Sequence, residues 1–321
     1  MTYSLAGKSI WVTGHRGMVG SALVRALGQR DDCTVLTVPR DEVDLMDLPA
    51  VRRWMDANRP DVVVVAAAKV GGILANDTYP ADFLYDNLTI SANVIHSAFE
   101  FETQKLLYLG SSCIYPRLAA QPIVEEALLT GPLEPTNEWY AIAKIAGIKL
   151  CQAYRKQYGR NFIAAMPTNL YGPNDNFDLA SSHVLPALIR KIHTAKVMNE
   201  PTVTLWGTGR PKREFLHVDD MAAACLFLLE GYDGYEHVNI GSGVDFEIRE
   251  LARIIADAVG YRGEFVYDTT KPDGMPRKLM DGSRLAAMGW RPKLDMREGI
   301  ARAYDWYVKN AAEPVQALAV T

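Results

Sequence analysis

Through the first half of this 321-residue chain, short unbroken apolar runs alternate with stretches in which apolar residues recur every three or four positions. The runs at 9–13, 34–38, 62–67, 106–109 and 162–166 are rich in Val, Ile and Leu and too short for buried helices, so they predict strands. The stretches at 19–27, 48–58, 87–101 and 138–158 predict helices between them. A strand that is apolar on both sides needs cover on both faces, and strands joined through helices run parallel. The expected fold class is therefore α/β: a doubly wound parallel sheet of the nucleotide-binding (Rossmann) kind.

After Pro167 the rhythm changes. Proline, glycine and charged residues become frequent between 171 and 213. A helix is expected at 215–229, a strand returning to the main sheet at 237–241, a helix at 247–259, a short strand at 264–267 and a last helix at 296–308. These pieces predict a nucleotide-binding domain over 1–168 with 215–243. A smaller substrate-binding domain would be interleaved with it, over 169–214 with 244–310. The weakly patterned tail, 311–321, is expected to be mobile.

Composition narrows the class. Hydrophobic residues make up 49% and charged residues 22%, with a net charge of −4, so no basic field exists for nucleic acid or an anionic membrane. Cys33, Cys113, Cys151 and Cys225 have no paired spacing, which fits reduced thiols better than a disulfide framework or a metal site. The apolar run at 62–68 is too short to span a bilayer, and the start of the chain has no signal-peptide pattern. A cytoplasmic enzyme is expected, with no metal and no membrane partner.

Chemistry enters at three places. Gly14-His15-Arg16-Gly17-Met18-Val19-Gly20 lies between the first strand and the first helix. Glycines there let the backbone turn tightly and approach a pyrophosphate, and the helix N-terminus offers free N–H groups to it. Beyond the second strand, Arg40 stands where a ribose 2′-phosphate would lie and Arg16 would join it, which favours NADP. Asp41 keeps the NAD reading open, because an acid there would bind a free 2′-hydroxyl. Asp44 is placed for the adenine edge.

The second place is Tyr140, one helical turn before Lys144, on one helix face. The lysine charge is expected to lower the phenol pKa, so that tyrosine exchanges a proton with a carbonyl oxygen. Ser111 or Ser112, at the end of the fourth strand, would hold that oxygen. The third is Cys113, a thiol beside this carbonyl site and a candidate base for a neighbouring carbon.

On these motifs the chain resembles the extended short-chain dehydrogenase/reductases. Within them it resembles the family of GDP-4-keto-6-deoxymannose 3,5-epimerase-4-reductases. Pro167-Thr168-Asn169-Leu170-Tyr171-Gly172-Pro173 and Arg213-Glu214-Phe215-Leu216-His217-Val218-Asp219-Asp220 also match, and the narrow, family-specific matches are Ser111-Ser112-Cys113 and Ser182-His183-Val184-Leu185-Pro186. The resemblance implies conversion of GDP-4-keto-6-deoxy-D-mannose to GDP-L-fucose with NADPH. Tyr140 would protonate the C4 oxygen and Lys144 would be its partner and a ribose contact. Cys113 would remove the C3 and C5 protons and His183 would return one from the opposite face. Leu109, Gly110, Ser111, Ser112, the backbone of Pro167, Thr168, Asn169 and Leu170, and His183 would line the cofactor. Lys191, Trp206, Arg213 and Asp273 would hold the GDP-sugar, and His217 reads as structural.

Lys191 stands where arginine is expected, keeping the charge without the bidentate geometry. Trp139 stands where proline is common. The alternative substrate is the 3-deoxy sugar of GDP-L-colitose synthases, epimerised at C5 only. A non-catalytic NADP-sensing regulator would predict a broken Tyr/Lys or Ser site, and here every member is present. The helices at 87–101 and 138–158 commonly pair in this superfamily, so a homodimer is expected.

Overall fold

Val62–Val65 is fully buried, and no strand is more central to the fold. In the computed structural model, residues 3–179, 181–271 and 273–312 are described. The first half runs β1 (Ser9–Thr13), α1 (Met18–Leu27), β2 (Thr34–Leu36), α2 (Leu48–Asn58), β3 (Val62–Val65), α3 (Ile73–Thr78), α4 (Pro80–Glu100), β4 (Lys105–Leu109), α5 (Glu138–Tyr158) and β5 (Asn161–Pro167). The second runs β6 (Asn169–Tyr171), α6 (Val184–Val197), β7 (Thr202–Trp206), β8 (Lys212–His217), α7 (Val218–Gly231), β9 (Val238–Ile240), β10 (Asp245–Glu247), α8 (Ile248–Val259), β11 (Glu264–Asp268), β12 (Arg277–Lys278), α9 (Ser283–Ala287) and α10 (Met296–Asn310).

Six strands form one parallel sheet in the order β2-β1-β3-β4-β5-β9. Its alternating side chains feed two cores. Ile10, Val12, Val62, Val64 and Leu107 join residues of α1 and α7 on one face. Trp11, Val63, Val65, Leu106 and Tyr108 join residues of α2, α4 and α5 on the other. The doubly wound α/β sheet is therefore present, and β9 returns to it as expected. The strand order reverses between β1 and β3, and ligands of such sheets bind beyond the strand ends at that point.

A further core gathers Leu185, Ile189 and Ile192 of α6, Leu251 and Ile255 of α8, Val203 and Leu205 of β7, and Ile300 of α10. Beside it β8 is the hub of a small sheet, pairing with β6, β10 and β12. Among the described residues no helix is long and apolar enough to cross a membrane.

Several elements differ from expectation. The helix expected at 215–229 begins only at Val218, and its first residues belong to β8. His217 sets the boundary, because its Nδ1 accepts the Asp219 N–H at 3.2 Å and so caps α7. That is the structural role expected of it. The helix expected at 87–101 starts at Pro80, where proline is tolerated in a first turn. Helix α6 and strands β6, β7, β8, β10 and β12 were not anticipated. Strand β2 stops at Leu36, which leaves Arg40 in the turn beyond it. Of the tail expected to be mobile, residues 313–321 lie outside the described residues.

Candidate active site

The glycine loop follows β1 directly. Thr13 ties it to the switch point, its hydroxyl accepting the N–H groups of Ala66 and Ala67 at 3.2 Å each. Gly14 has φ +68°, and a Cβ there would lie 2.8 Å from the Ala67 Cα. A Cβ at Gly20 would lie 2.1 Å from the Gly14 carbonyl oxygen. Only glycine fits either position, and the loop delivers the chain to the N-terminus of α1 at Met18. This cradle fits a dinucleotide pyrophosphate. His15 and Arg16 sit on the loop; burial, then the Arg16 charge, lowers the His15 pKa. Arg40 is exposed and pairs with Asp44 at 3.3 Å, while Arg16 lies 4.0 Å from Asp41. Both guanidiniums face solvent, held by weak surface pairs that a phosphate would outcompete.

At the end of β4 the chain turns through Gly110, whose N–H donates to the Ala165 carbonyl at 2.9 Å. A 3₁₀ turn over Ser112–Ile114 then presents Cys113, which is only 7% exposed. Helix α5 crosses close behind, because Gly147 leaves room for the Tyr108 ring, where a Cβ would meet it at 2.3 Å. This approach brings Lys144 to β4, and its ammonium donates to the Leu109 carbonyl at 3.0 Å. The Lys144 Nζ lies 5.7 Å from the Tyr140 ring centroid. The Ser111 side chain acts on both the Cys113 thiol and the Tyr140 phenol, favouring the ionised form of each. Ser111, Cys113, Tyr140 and Lys144 thus converge at one strand end.

Protonation in this cluster differs from the expectation for Tyr140. Burial pushes its phenol well above 10.0, the Cys113 and Tyr108 groups add to this, and Ser111 opposes it. Lys144 does not act as the source of a lowered phenol pKa. Its own pKa falls to about 8, chiefly through burial. Burial also raises the Cys113 thiol above 9.0, opposed in turn by Lys278, Ser111 and Lys144. Tyr140 is therefore a neutral hydroxyl, suited to giving a proton, and Cys113 rests as a thiol.

His183 is the N-cap of α6, and two residues before it the Ser181 carbonyl accepts the Gly72 N–H at 3.0 Å. The residue is exposed, yet protein crowds around its side chain. That crowding, then the charge of Lys278, lowers its pKa from 6.5, so the imidazole is neutral at pH 7. Lys278 was not anticipated as a site residue. It enters through β12, in register with Arg213 of β8, and its charge acts on both Cys113 and His183.

Of the expected substrate residues, Trp206 is 66% exposed, with the Lys191 Nζ at 5.4 Å and the Lys271 Nζ at 5.6 Å from its ring centroid. Such a face suits a purine base. Arg213 donates to the Met275 carbonyl at 2.6 Å. Asp273 is occupied within the protein, accepting from the Thr208 N–H at 2.8 Å and the Thr208 hydroxyl at 2.7 Å. In this arrangement it clasps the 206–210 turn to the loop before β12.

The chain belongs to the NAD dependent epimerase/dehydratase family, whose model matches residues 10–241. It is 59% identical to a GDP-L-fucose synthase of Sinorhizobium fredii over 97% of this chain and 99% of that one. A GDP-L-colitose synthase of Yersinia pseudotuberculosis is 37% identical, over 94% and 98%. The crystal structure of a GDP-L-fucose synthetase from Naegleria fowleri bound to NADP superposes with a TM-score of 0.88 at 28% identity, covering 97% of this chain and 95% of that one.

Proposed function

We propose that this enzyme converts GDP-4-keto-6-deoxy-D-mannose to GDP-L-fucose, inverting C3 and C5 and then reducing C4. The observation that carries this reading is the convergence of Ser111, Cys113, Tyr140 and Lys144 on one strand end. A carbonyl-reducing site needs the serine, tyrosine and lysine, whereas an additional thiol has work only if neighbouring carbons are deprotonated. The higher identity to GDP-L-fucose synthase than to GDP-L-colitose synthase favours the 3-hydroxy substrate over the 3-deoxy one.

The C4 ketone acidifies the C–H bonds at C3 and C5. Cys113, once ionised, takes a proton from each in turn, and His183 returns one from the other face. Ser111, Ser112 and the Tyr140 hydroxyl hold the ketone oxygen while charge gathers on it. NADPH, when bound, supplies a hydride to C4. Tyr140 then gives its proton to the oxygen, and loss of the carbonyl ends epimerisation.

Gly14–Gly20 would carry the pyrophosphate, with Arg16 and Arg40 on the 2′-phosphate and Asp44 toward the adenine. Leu109, Gly110, Ser112, Lys144 and Pro167–Leu170 would line the nicotinamide ribose. Lys191, Trp206 and Arg213 would take the GDP moiety, and Asp273 would hold their loop. We assign the cofactor to 1–168 with 215–243 and the GDP-sugar to 169–214 with 244–310, in a cytoplasmic homodimer. The test is NMR of the product formed from GDP-4-keto-6-deoxy-D-mannose and NADPH. GDP-L-fucose is expected; a reduced sugar with the starting C3 and C5 configuration would overturn the epimerase half.

A further inference from the structure

Glu214 is a buried carboxylate that the chemistry above does not use. It is 0% exposed, in the middle of β8. Among the described residues no cation forms an ion pair with it. Its carboxylate instead accepts the backbone N–H groups of Gly243 at 2.8 Å and Met280 at 3.0 Å. Those residues follow β9 and β12 respectively. The acceptor is packed so closely that a Cβ at Gly241 would lie 2.3 Å from its Oε1. The same residue is engaged on its backbone side: its carbonyl accepts from the Asn169 side-chain amide at 2.7 Å and from the Thr168 hydroxyl at 3.3 Å.

One residue thus holds two different structures. Through its carbonyl it fixes the Thr168–Asn169 segment at the end of β5. Through its carboxylate it fixes Met280, two residues beyond Lys278, and so the strand whose lysine charge acts on Cys113 and His183. A buried carboxylate held chiefly by backbone N–H groups, with the Thr168 side chain beside it, is a stiff anchor, because a neutral side chain of the same shape cannot accept as many of them.

Resting on the proposed reaction, we infer that Glu214 is a positioning residue that holds the nicotinamide seat and the β12 arm in register, so that epimerisation precedes reduction. The two sides of the residue are separable. Glu214→Gln leaves its carbonyl in place but offers an amide NH₂ to one of the two backbone donors, which loosens the β12 arm. Asn169→Ala removes the 2.7 Å bond to the carbonyl and keeps the carboxylate's own partners, which loosens the nicotinamide seat.

The experiment uses the full-length enzyme with GDP-4-keto-6-deoxy-D-mannose and NADPH in D₂O. It reads a partition: reduced sugar retaining the starting configuration, reduced L-sugar, and unreduced ketone carrying deuterium at C3 or C5. A partition ratio is independent of how much enzyme is folded. Glu214→Gln is expected to slow deuterium uptake relative to reduction by about tenfold, the size of a lost charged hydrogen bond, and so to enrich the un-epimerised product. Asn169→Ala is expected to shift the ratio the other way by about threefold, enriching deuterated ketone. If the glutamine variant yields no folded protein, Glu214→Asp carries the same test with the same sign. Ratios unchanged from the native enzyme in these variants, or shifted in the same direction by both, would overturn the inference. If the native enzyme itself yields no GDP-L-fucose, it is the proposed reaction that fails.

Discussion

At the scale of single residues, the proton inventory of the site sets its pH behaviour. Burial holds the proton on the Cys113 sulfur and leaves the His183 ring neutral at pH 7. The assigned roles need the reverse, a thiolate base and a protonated imidazole. One proton must therefore move from Cys113 before the first C–H bond breaks. Because the thiol pKa is raised, the thiolate is a minor species at neutral pH, and its share grows about tenfold per pH unit below that pKa. The share of protonated imidazole falls by the same factor over that range, so deuterium uptake at C3 and C5 is expected to stay nearly flat from about pH 7 to 8, and a climb of about tenfold per unit would show that His183 does not act as the acid. Cys113→Ser keeps the size but not the acidity. It is expected to cut epimerisation by at least about a hundredfold, while Tyr140 and Lys144 still reduce the un-epimerised ketone. L-sugar formed at the native rate would make Cys113 a packed thiol only. Tyr140→Phe should do the converse, abolishing NADPH oxidation while isotope exchange persists.

At the scale of elements, the site is assembled from strand ends, and this decided what was legible. The glycine loop, the Ser-Ser-Cys turn and the Tyr140–Lys144 pair each lie within one short stretch, where spacing alone places the side chains on one face. Lys278 and Glu214 reach the site through β12 and β8, whose pairing follows no local period. Phe215 and Leu216 continue the apolar pattern of α7, so strand and helix merge until His217 is seen to cap the helix. Helix α6 was hidden by Pro186, which reads as a breaker but falls in the first turn, where its missing N–H is not required. Gly147 is the least obvious of these positions: within α5 it reads as a weak helix former, yet it lets the helix approach β4. Gly147→Ala should push α5 away from Tyr108 and destabilise the fold by about 1–3 kcal/mol. Because Lys144 and Tyr140 ride on the same helix, NADPH oxidation should fall as well. Denaturant melts with m held constant would check the first effect, and an unchanged midpoint would mean that Tyr108 yields at no cost.

At the scale of the whole molecule, a protein of net negative charge carries cations at its proposed ligand sites. The net charge is −4, yet Lys191, Arg213 and Lys278 lie on the proposed substrate side, with Arg16 and Arg40 on the proposed cofactor side. Arg213 and Lys278 are partly buried and their pKa values are lowered mainly by burial, so their charges stand in poorly solvated surroundings. Cations at a ligand site in a body of net negative charge attract a diphosphate from a distance and repel nothing that they must bind. Such attraction acts over the Debye length, which shrinks from about 10 Å at 0.1 M salt to about 3 Å at 1 M. The chemical step depends on groups in direct contact, which salt screens far less. Between those salt concentrations KM for the GDP-sugar is therefore expected to rise severalfold, while kcat stays within about twofold. Arg40→Ala should flatten the salt response toward NADPH and erase most of its advantage over NADH, about tenfold, without changing the response toward the GDP-sugar. Steady-state kinetics with each ligand varied in turn read both effects. A kcat that falls with salt while KM stays constant would show that the cationic groups act on the reacting sugar rather than on the approach of its diphosphate.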